Sequence, residues 1–231
     1  MISEELQQQF QNTIGYTFHD SSYLIQALTH RSYLNESETS EYGQNERLEF
    51  LGDAVLELVV TEHLYQQYSD KPEGELTSYR AALVKGEHLA KIGFSISLED
   101  YIQMSRGERQ EESSKSYVTA NAMEAVIAAI YLDGGLEQAQ LFVHRFIVPS
   151  LKNIIEKKLF IDAKSYLQEL VQEQYSQTPE YRVMNDWGPD HDKLFEVGVY
   201  LGEKELARGK GRSKQKAQQQ AASIALDSLQ S

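Results

Sequence analysis

Apolar positions recur at helical spacing through roughly the first two thirds of this chain. Between Asn45 and Tyr68 the stripe is Leu48, Leu51, Val55, Leu58 and Val59. Asn45 stands where an N-cap belongs, and Glu46 lies in the first turn, where the helix dipole favours an anion. Away from its acids this helix is apolar nearly all round, so it is expected to be mostly buried. The same spacing predicts short helices over residues 3–12 and 20–34. It predicts longer ones from Leu76 to about Phe94 and from Val118 to Leu132, the latter stopped by Asp133-Gly134-Gly135. A further helix is expected from about Leu136 to Lys158. Residues 69–74, with Pro72 and Gly74, break the pattern, and the polar stretches 35–44 and 105–116 read as surface loops.

Past residue 160 the pattern changes. A helix from Lys164 to about Tyr175 precedes three β-type stretches, Tyr181–Trp187, Leu194–Leu201 and Glu205–Gly209, with a turn at Gly202-Glu203-Lys204. Ser213 then caps a helix to about Leu229, with Ala217, Ala221, Ala222, Ala225, Leu226 and Leu229 facing inward. The expected fold is an all-α domain over residues 1–158, a linker at 159–161, and a small α+β domain of order α-β-β-β-α over 162–231.

Composition narrows the function classes. There is no cysteine, which excludes disulfides and thiolate metal sites. No apolar run is long enough to span a membrane, and Met1–Leu6 lacks the features of a signal peptide. A cytoplasmic protein without membrane attachment is the expectation. The net charge of −13 argues at first against a nucleic-acid partner. The charge is unevenly placed, however: residues 1–161 carry 13 Lys/Arg against 24 Asp/Glu, and residues 162–231 carry 9 against 11. Arg208, Lys210, Arg212, Lys214 and Lys216 form an acid-free basic stretch in the second part.

The candidate chemistry lies in the acids. Glu46, Glu49 and Asp53 stand at i, i+3 and i+7, one stripe of a helix. A solvated acidic face is the ordinary explanation of such a run. Phe50, Leu51, Ala54 and Val55 leave little room for a wide polar face, and a second helix offers matching oxygens. In Val118–Leu132 the single formal charge is Glu124, with Asn121 one turn before it, and an isolated ionisable group among Ala, Val, Ile and Met needs a partner. Packed against the first stripe, Asn121 and Glu124 complete a ring of hard oxygen donors suited to Mg²⁺ or Mn²⁺. Such a site hydrolyses phosphoesters without a Ser, His or Cys nucleophile, and the acids alone do not choose between phosphodiesters and small pyrophosphates. His30 reads as a hydrogen-bonded structural histidine. The second part chooses the substrate. Lys214 and Lys216 at a helix start, within an α-β-β-β-α unit, fit double-stranded RNA read by shape through phosphates and 2′-hydroxyls.

These residues resemble a known family. Asn45-Glu46-Arg47-Leu48-Glu49-Phe50-Leu51-Gly52-Asp53-Ala54 is similar to the signature of ribonuclease III, and residues 118–133 resemble its second catalytic segment. Residues 27–33, Ala-Leu-Thr-His-Arg-Ser-Tyr, fit as well, and 162–229 resemble a double-stranded-RNA-binding domain. The resemblance covers nearly the whole chain and has the form of the short bacterial enzymes. It implies a homodimeric, Mg²⁺-dependent endonuclease, with Mn²⁺ substituting and no small-molecule cofactor. It would cut both strands of a duplex, leave 5′-phosphates and short 3′ overhangs, and process ribosomal RNA precursors and other structured transcripts. It assigns the metal to Glu49, Asp53, Asn121 and Glu124, with Asp53 and Glu124 most central, and adds Glu46 and Glu73 as further active-site acids. It assigns Phe50 to the dimer interface, and Ser165, Gln168, Pro189, His191, Lys214 and Lys216 to RNA binding. Two departures stand out. Asn121 replaces an Asp common in the family, which removes one charge from the metal site. Gln215 and Gln218 stand where such binding domains often carry Lys. The competing readings are a duplex-RNA-binding protein with a weakened nuclease domain and a helical phosphohydrolase of small molecules.

Overall fold

Contacts divide the chain into two units, Met1–Phe160 and Ile161–Ser231, in a computed structural model that describes residues 2–34, 42–158, 160, 162–189 and 193–229. The first unit is helical: α1 (Glu4–Ile14), α2 (Ser21–Ala27), α3 (Arg31–Leu34), α4 (Glu46–Gln67), α5 (Glu73–Val84), α6 (Gly86–Ser95), α7 (Leu98–Tyr101), α8 (Arg106–Gln110), α9 (Glu112–Phe146), a 3₁₀ turn at Val148–Ser150, and α10 (Leu151–Glu156). Among the described residues no helix is long and apolar enough to cross a membrane.

The centre of this unit is α9. Every residue from Ala125 to Ile130 is fully buried, as a helix apolar on all sides must be. The expected stop at Asp133–Gly135 is a kink: Gly135 adopts φ 81°, ψ 178°, a region essentially closed to other residues, and the chain continues as helix to Phe146. Against α9 lies α4, through Leu48, Gly52, Val55, Leu56, Val59, Val60 and Leu64. These residues give α4 one buried stripe. Its opposite side is exposed, with Phe50 at 82%, Leu58 at 55% and Tyr65 at 76%, so the expectation of a mostly buried helix is corrected.

Other local expectations change for stated reasons. Residues 20–34 do not form one helix, because the backbone leaves the helix at Leu28 to bridge Gln103: Gln103 N–H donates to the Leu28 carbonyl at 2.7 Å and His30 N–H to the Gln103 carbonyl at 2.9 Å. Leu76–Phe94 is split at Lys85, whose ψ of 132° is extended. Residues 105–116 are largely helical rather than loop. Ser105 Oγ accepts the Glu108 N–H and starts α8, and α9 begins at Glu112. The segment after Gly135 breaks at Ile147 before the Pro149 turn. The loop expected over 35–44 falls largely outside the described residues.

The second unit is α11 (Ala163–Tyr175), β1 (Glu180–Trp187), β2 (Leu194–Leu201), β3 (Lys204–Gly211) and α12 (Lys214–Leu229). The strands form one antiparallel sheet in the order β1-β2-β3. Its core joins Leu167 and Val171 of α11, Val199 and Ala207 of the sheet, and Ala221, Ala222, Ala225 and Leu226 of α12. Small residues along α12 let the helix sit close on β3.

One buried carboxylate fixes the N-terminal segment onto α9. Asp133 accepts the Tyr16 hydroxyl at 2.7 Å and the N–H groups of His19 and Asp20, each at 2.9 Å. Burial opposes its ionisation, but these hydrogen bonds outweigh burial and hold the carboxyl down to about 2. A carboxyl depressed in the fold stabilises above its ordinary pKa, and that stability is lost as pH falls toward the folded value. Asp133→Ala is therefore expected to cost about 3 kcal/mol at neutral pH by urea unfolding, since three donors lose a charged acceptor. The difference from wild type should shrink as pH falls from about 4 toward 2.

Candidate active site

At the crossing of α4 and α9, Gly52 meets the backbone of Glu124. A β-carbon on Gly52 would overlap the Glu124 carbonyl, so only glycine allows this approach. The next residue on α4 is Asp53, and Glu49 is one turn earlier. The crossing thus brings Glu49 and Asp53 to the stretch of α9 that carries Asn121 and Glu124.

The electrostatics record this convergence. Glu124 is pushed up to about 8, first by burial and then by the charges of Asp53 and Glu49. Glu49 is raised by burial and by Glu46, while a hydrogen bond from the Asn121 amide and the charge of Arg31 act the other way. Asp53 is exposed, and Glu49, Asn121 and Glu124 are half-buried. Among the described residues no three His, Cys, Asp or Glu side chains are gathered closely enough to hold a metal ion as they stand. The carboxylates of α4 and α9 are near enough to act on one another's charge across the helix crossing.

Glu46 is placed differently. It is exposed at the start of α4, where Oε1 lies 3.3 Å from Arg31 Nη1 and Oε2 accepts from Gln44 Nε2 at 2.9 Å. Glu73 is not brought to these acids within the chain. It begins α5, accepts the Thr77 hydroxyl at 2.9 Å, and lines a groove of about 690 Å³ beside the C-terminal half of α4. Asn45 does not cap α4 with its side chain. Its backbone is already helical, and its buried amide donates to the Ala27 carbonyl at 3.1 Å. His30 is buried, with Nδ1 2.8 Å from Ser32 Oγ, and burial lowers its pKa, so it serves as a neutral structural group.

Two family descriptions match the chain: a ribonuclease-III-like model over residues 20–151, and a double-stranded RNA binding motif over 163–229. Ribonuclease 3 of Campylobacter jejuni is 43% identical over 223 residues, covering 96% of this chain and 97% of that protein. Ribonuclease 3 of Borreliella afzelii is 41% identical, covering 96% and 91%. This chain belongs to the ribonuclease III family. A solved nuclease domain of the Campylobacter jejuni ribonuclease III aligns over 60% of this chain and 94% of its own, with a TM-score of 0.54 and 41% identity. That domain is described as structurally flexible in a region involved in dimer formation.

The second unit of the chain presents its expected RNA-facing positions as follows. Ser165 and Gln168 are exposed on α11, and Pro189 is exposed after β1. His191 lies outside the described residues. Lys214 and Lys216 are exposed in the first turn of α12, where Ser213 Oγ accepts the Lys216 N–H at 3.2 Å. The basic stretch is not uniform. Arg208 pairs with Glu205 at 2.7 Å and Lys210 with Glu196 at 3.5 Å on the sheet, and Lys214 Nζ lies 5.9 Å from the centre of the Phe195 ring. Gln218 serves the packing of this unit. Its side-chain oxygen accepts from Lys164 Nζ at 2.7 Å, joining α12 to α11. A lysine there would face Lys164.

The meaning of Gly52 is missed by sequence reasoning alone. A glycine inside a strongly apolar helix signals close backbone approach, and that signal was present. Arg31 and Gln44 had no such signal, because their relation to Glu46 appears only in three dimensions.

Glu124 sets a pH test. An acid raised in the fold keeps a proton that the unfolded chain has released, so stability falls as pH rises between the two pKa values. In EDTA, unfolding free energy should decline from pH 4.5 toward about 8. Chemical denaturation of Glu124→Gln, whose amide carries no charge at any pH, should show that decline removed.

Proposed function

We propose that this ribonuclease III family endonuclease is a cytoplasmic, homodimeric, Mg²⁺-dependent enzyme that hydrolyses phosphodiesters on both strands of double-stranded RNA. Its products carry 5′-phosphates and short 3′ overhangs, and its substrates include ribosomal RNA precursors and other structured transcripts. The observation that carries the reading is the crossing at Gly52, which sets Glu49 and Asp53 opposite Asn121 and Glu124.

The residues present fit a divalent metal. All four offer hard oxygens, and beside burial the charges of Asp53 and Glu49 raise the Glu124 carboxyl, a repulsion that a cation would relieve. Mg²⁺ takes few protein ligands and keeps waters and substrate phosphate in its shell, so a small set of such oxygens is enough for it. When bound, the metal supplies an activated water and charge stabilisation at the leaving oxygen. The chain does the rest. Glu124 is the half-buried carboxyl at the centre, Asp53 faces it from the exposed side, and the Asn121 amide orients Glu49. Asn121 brings no charge, so three acids compensate the ion where many members of the family have four. Mn²⁺, which takes the same hard ligands, substitutes.

Dimerisation is supported by the outer side of α4. Phe50 is 82% exposed, with Ala54 and Leu58 continuing its stripe, an unusual placement for an aromatic on a lone helix. The groove beside Tyr65 and Leu76 has the size and apolar wall to receive Phe50 of the partner subunit. Glu73 stands on that groove, so this docking would bring it toward the acids of the partner subunit. Ser165, Gln168, Pro189, His191, Lys214 and Lys216 make the shape-reading contacts to the duplex.

The uncharged Asn121 favours one other reading, a duplex-RNA-binding protein whose nuclease unit is weakened. Incubating a long RNA duplex with the protein in Mg²⁺, beside an EDTA control and Glu124→Ala, separates the two. Cutting to short duplexes, lost in EDTA and lost by at least about 100-fold in Glu124→Ala, is the expected result. Intact RNA retarded on a gel would leave only the binding protein.

A further inference from the structure

Glu46 lies one turn before Glu49 on α4 and is exposed at the start of the helix. It is held from one side and aimed at a cation on the other. Its N–H donates to Gln44 Oε1 at 2.7 Å, its Oε2 accepts from Gln44 Nε2 at 2.9 Å, and its Oε1 faces the Arg31 guanidinium at 3.3 Å. The backbone fixes the spacing of this group. Buried Asn45, at the foot of α4, donates its N–H to the Thr29 carbonyl at 2.9 Å and its side-chain amide to the Ala27 carbonyl at 3.1 Å. The start of α4 is thereby tied to the residues that lead into Arg31.

Stability does not explain the pair. The Arg31 side chain is 69% exposed and that of Glu46 48%, and ion pairs so exposed contribute under about 1 kcal/mol. Electrostatics of the reaction do explain it. A duplex must bring a polyanionic backbone up to Glu49, Asp53 and Glu124, and the repulsion needs a cation at the rim. A guanidinium matches a phosphate with two parallel N–H donors, and exposure leaves Arg31 room for both partners.

We propose that Arg31 binds a phosphodiester of the RNA backbone beside the one that is cut, and that Glu46 and Gln44 are positioning residues that hold its guanidinium at the edge of the acid site. The proposal rests on the endonuclease reading and gives Glu46, a further active-site acid, a role toward the substrate.

The test is steady-state cleavage of a defined RNA duplex by the full-length protein, over a range of KCl and of MgCl₂. Arg31→Gln should raise KM roughly 5-fold with a much smaller effect on kcat, and should reduce the slope of log KM against log salt by about one, the signature of one lost phosphate contact. Arg31→Lys keeps the charge and should keep the slope, with part of the KM recovered. Glu46→Gln should raise KM while the Mg²⁺ concentration for half-maximal rate stays in place. Wild-type KM and salt slope in Arg31→Gln, alongside a wild type that cuts normally, would overturn this proposal alone. So would a Glu46→Gln variant whose Mg²⁺ requirement rises sharply, since that marks a metal ligand. A wild-type protein that fails to cut in Mg²⁺ would overturn the endonuclease reading and this inference with it.

Discussion

Two helices approach here as closely as their backbones allow, and the candidate site depends on that contact. At Gly52 the side chain is absent, and α4 lies against the carbonyl of Glu124 on α9. Any side chain at this position would push the helices apart and separate Asp53 from Glu124. The contact is supported from below by α9, whose residues Ala125 to Ile130 are all buried and small or branched, so the helix has no freedom to shift. A packed core therefore sets the spacing of the acids, as a site that must hold its geometry requires.

That spacing has an electrostatic consequence. Glu124 is half-buried with two carboxylates facing it, and its pKa rises to about 8. Glu49 is raised by burial and by Glu46 and eased by the Asn121 amide. A fold that retains such repulsion is prepared for a cation from solution. Glu46 belongs to the edge of the same field, where it faces Arg31. The second unit is built by the opposite rule. On its sheet Arg208 is paired with Glu205 and Lys210 with Glu196, while Lys214 and Lys216 stand exposed in the first turn of α12.

Much of this was legible in the sequence, for physical reasons. The long apolar run of residues 118–132 and the β-rich composition of 194–201 follow from what each element buries, so helix α9, strand β2 and the two-unit order could be read directly. The acid stripe and its partner helix were legible because an isolated Glu124 among apolar residues demands a partner. Features set by distant residues were not legible. The break at Leu28–His30 is made by Gln103, the amide of Asn45 turns to Ala27 instead of capping its own helix, and Arg31 meets Glu46 15 residues along the chain. Gln218 read as a missing cation because its partner Lys164 lies 54 residues away. The exposure of α4 was misread because apolar residues such as Phe50 and Leu58 look the same in sequence whether they face a core or a partner.

The central claim is that acids from two helices share one ion, and calorimetric Mg²⁺ titration of Glu49→Gln, Glu124→Gln and the double variant tests it most directly. Ligands of one ion are coupled, so the double variant should bind Mg²⁺ no more weakly than the worse single variant, by a margin of under about 0.5 kcal/mol. Losses that simply add would contradict the account, because they would mean that Glu49 and Glu124 act at separate places.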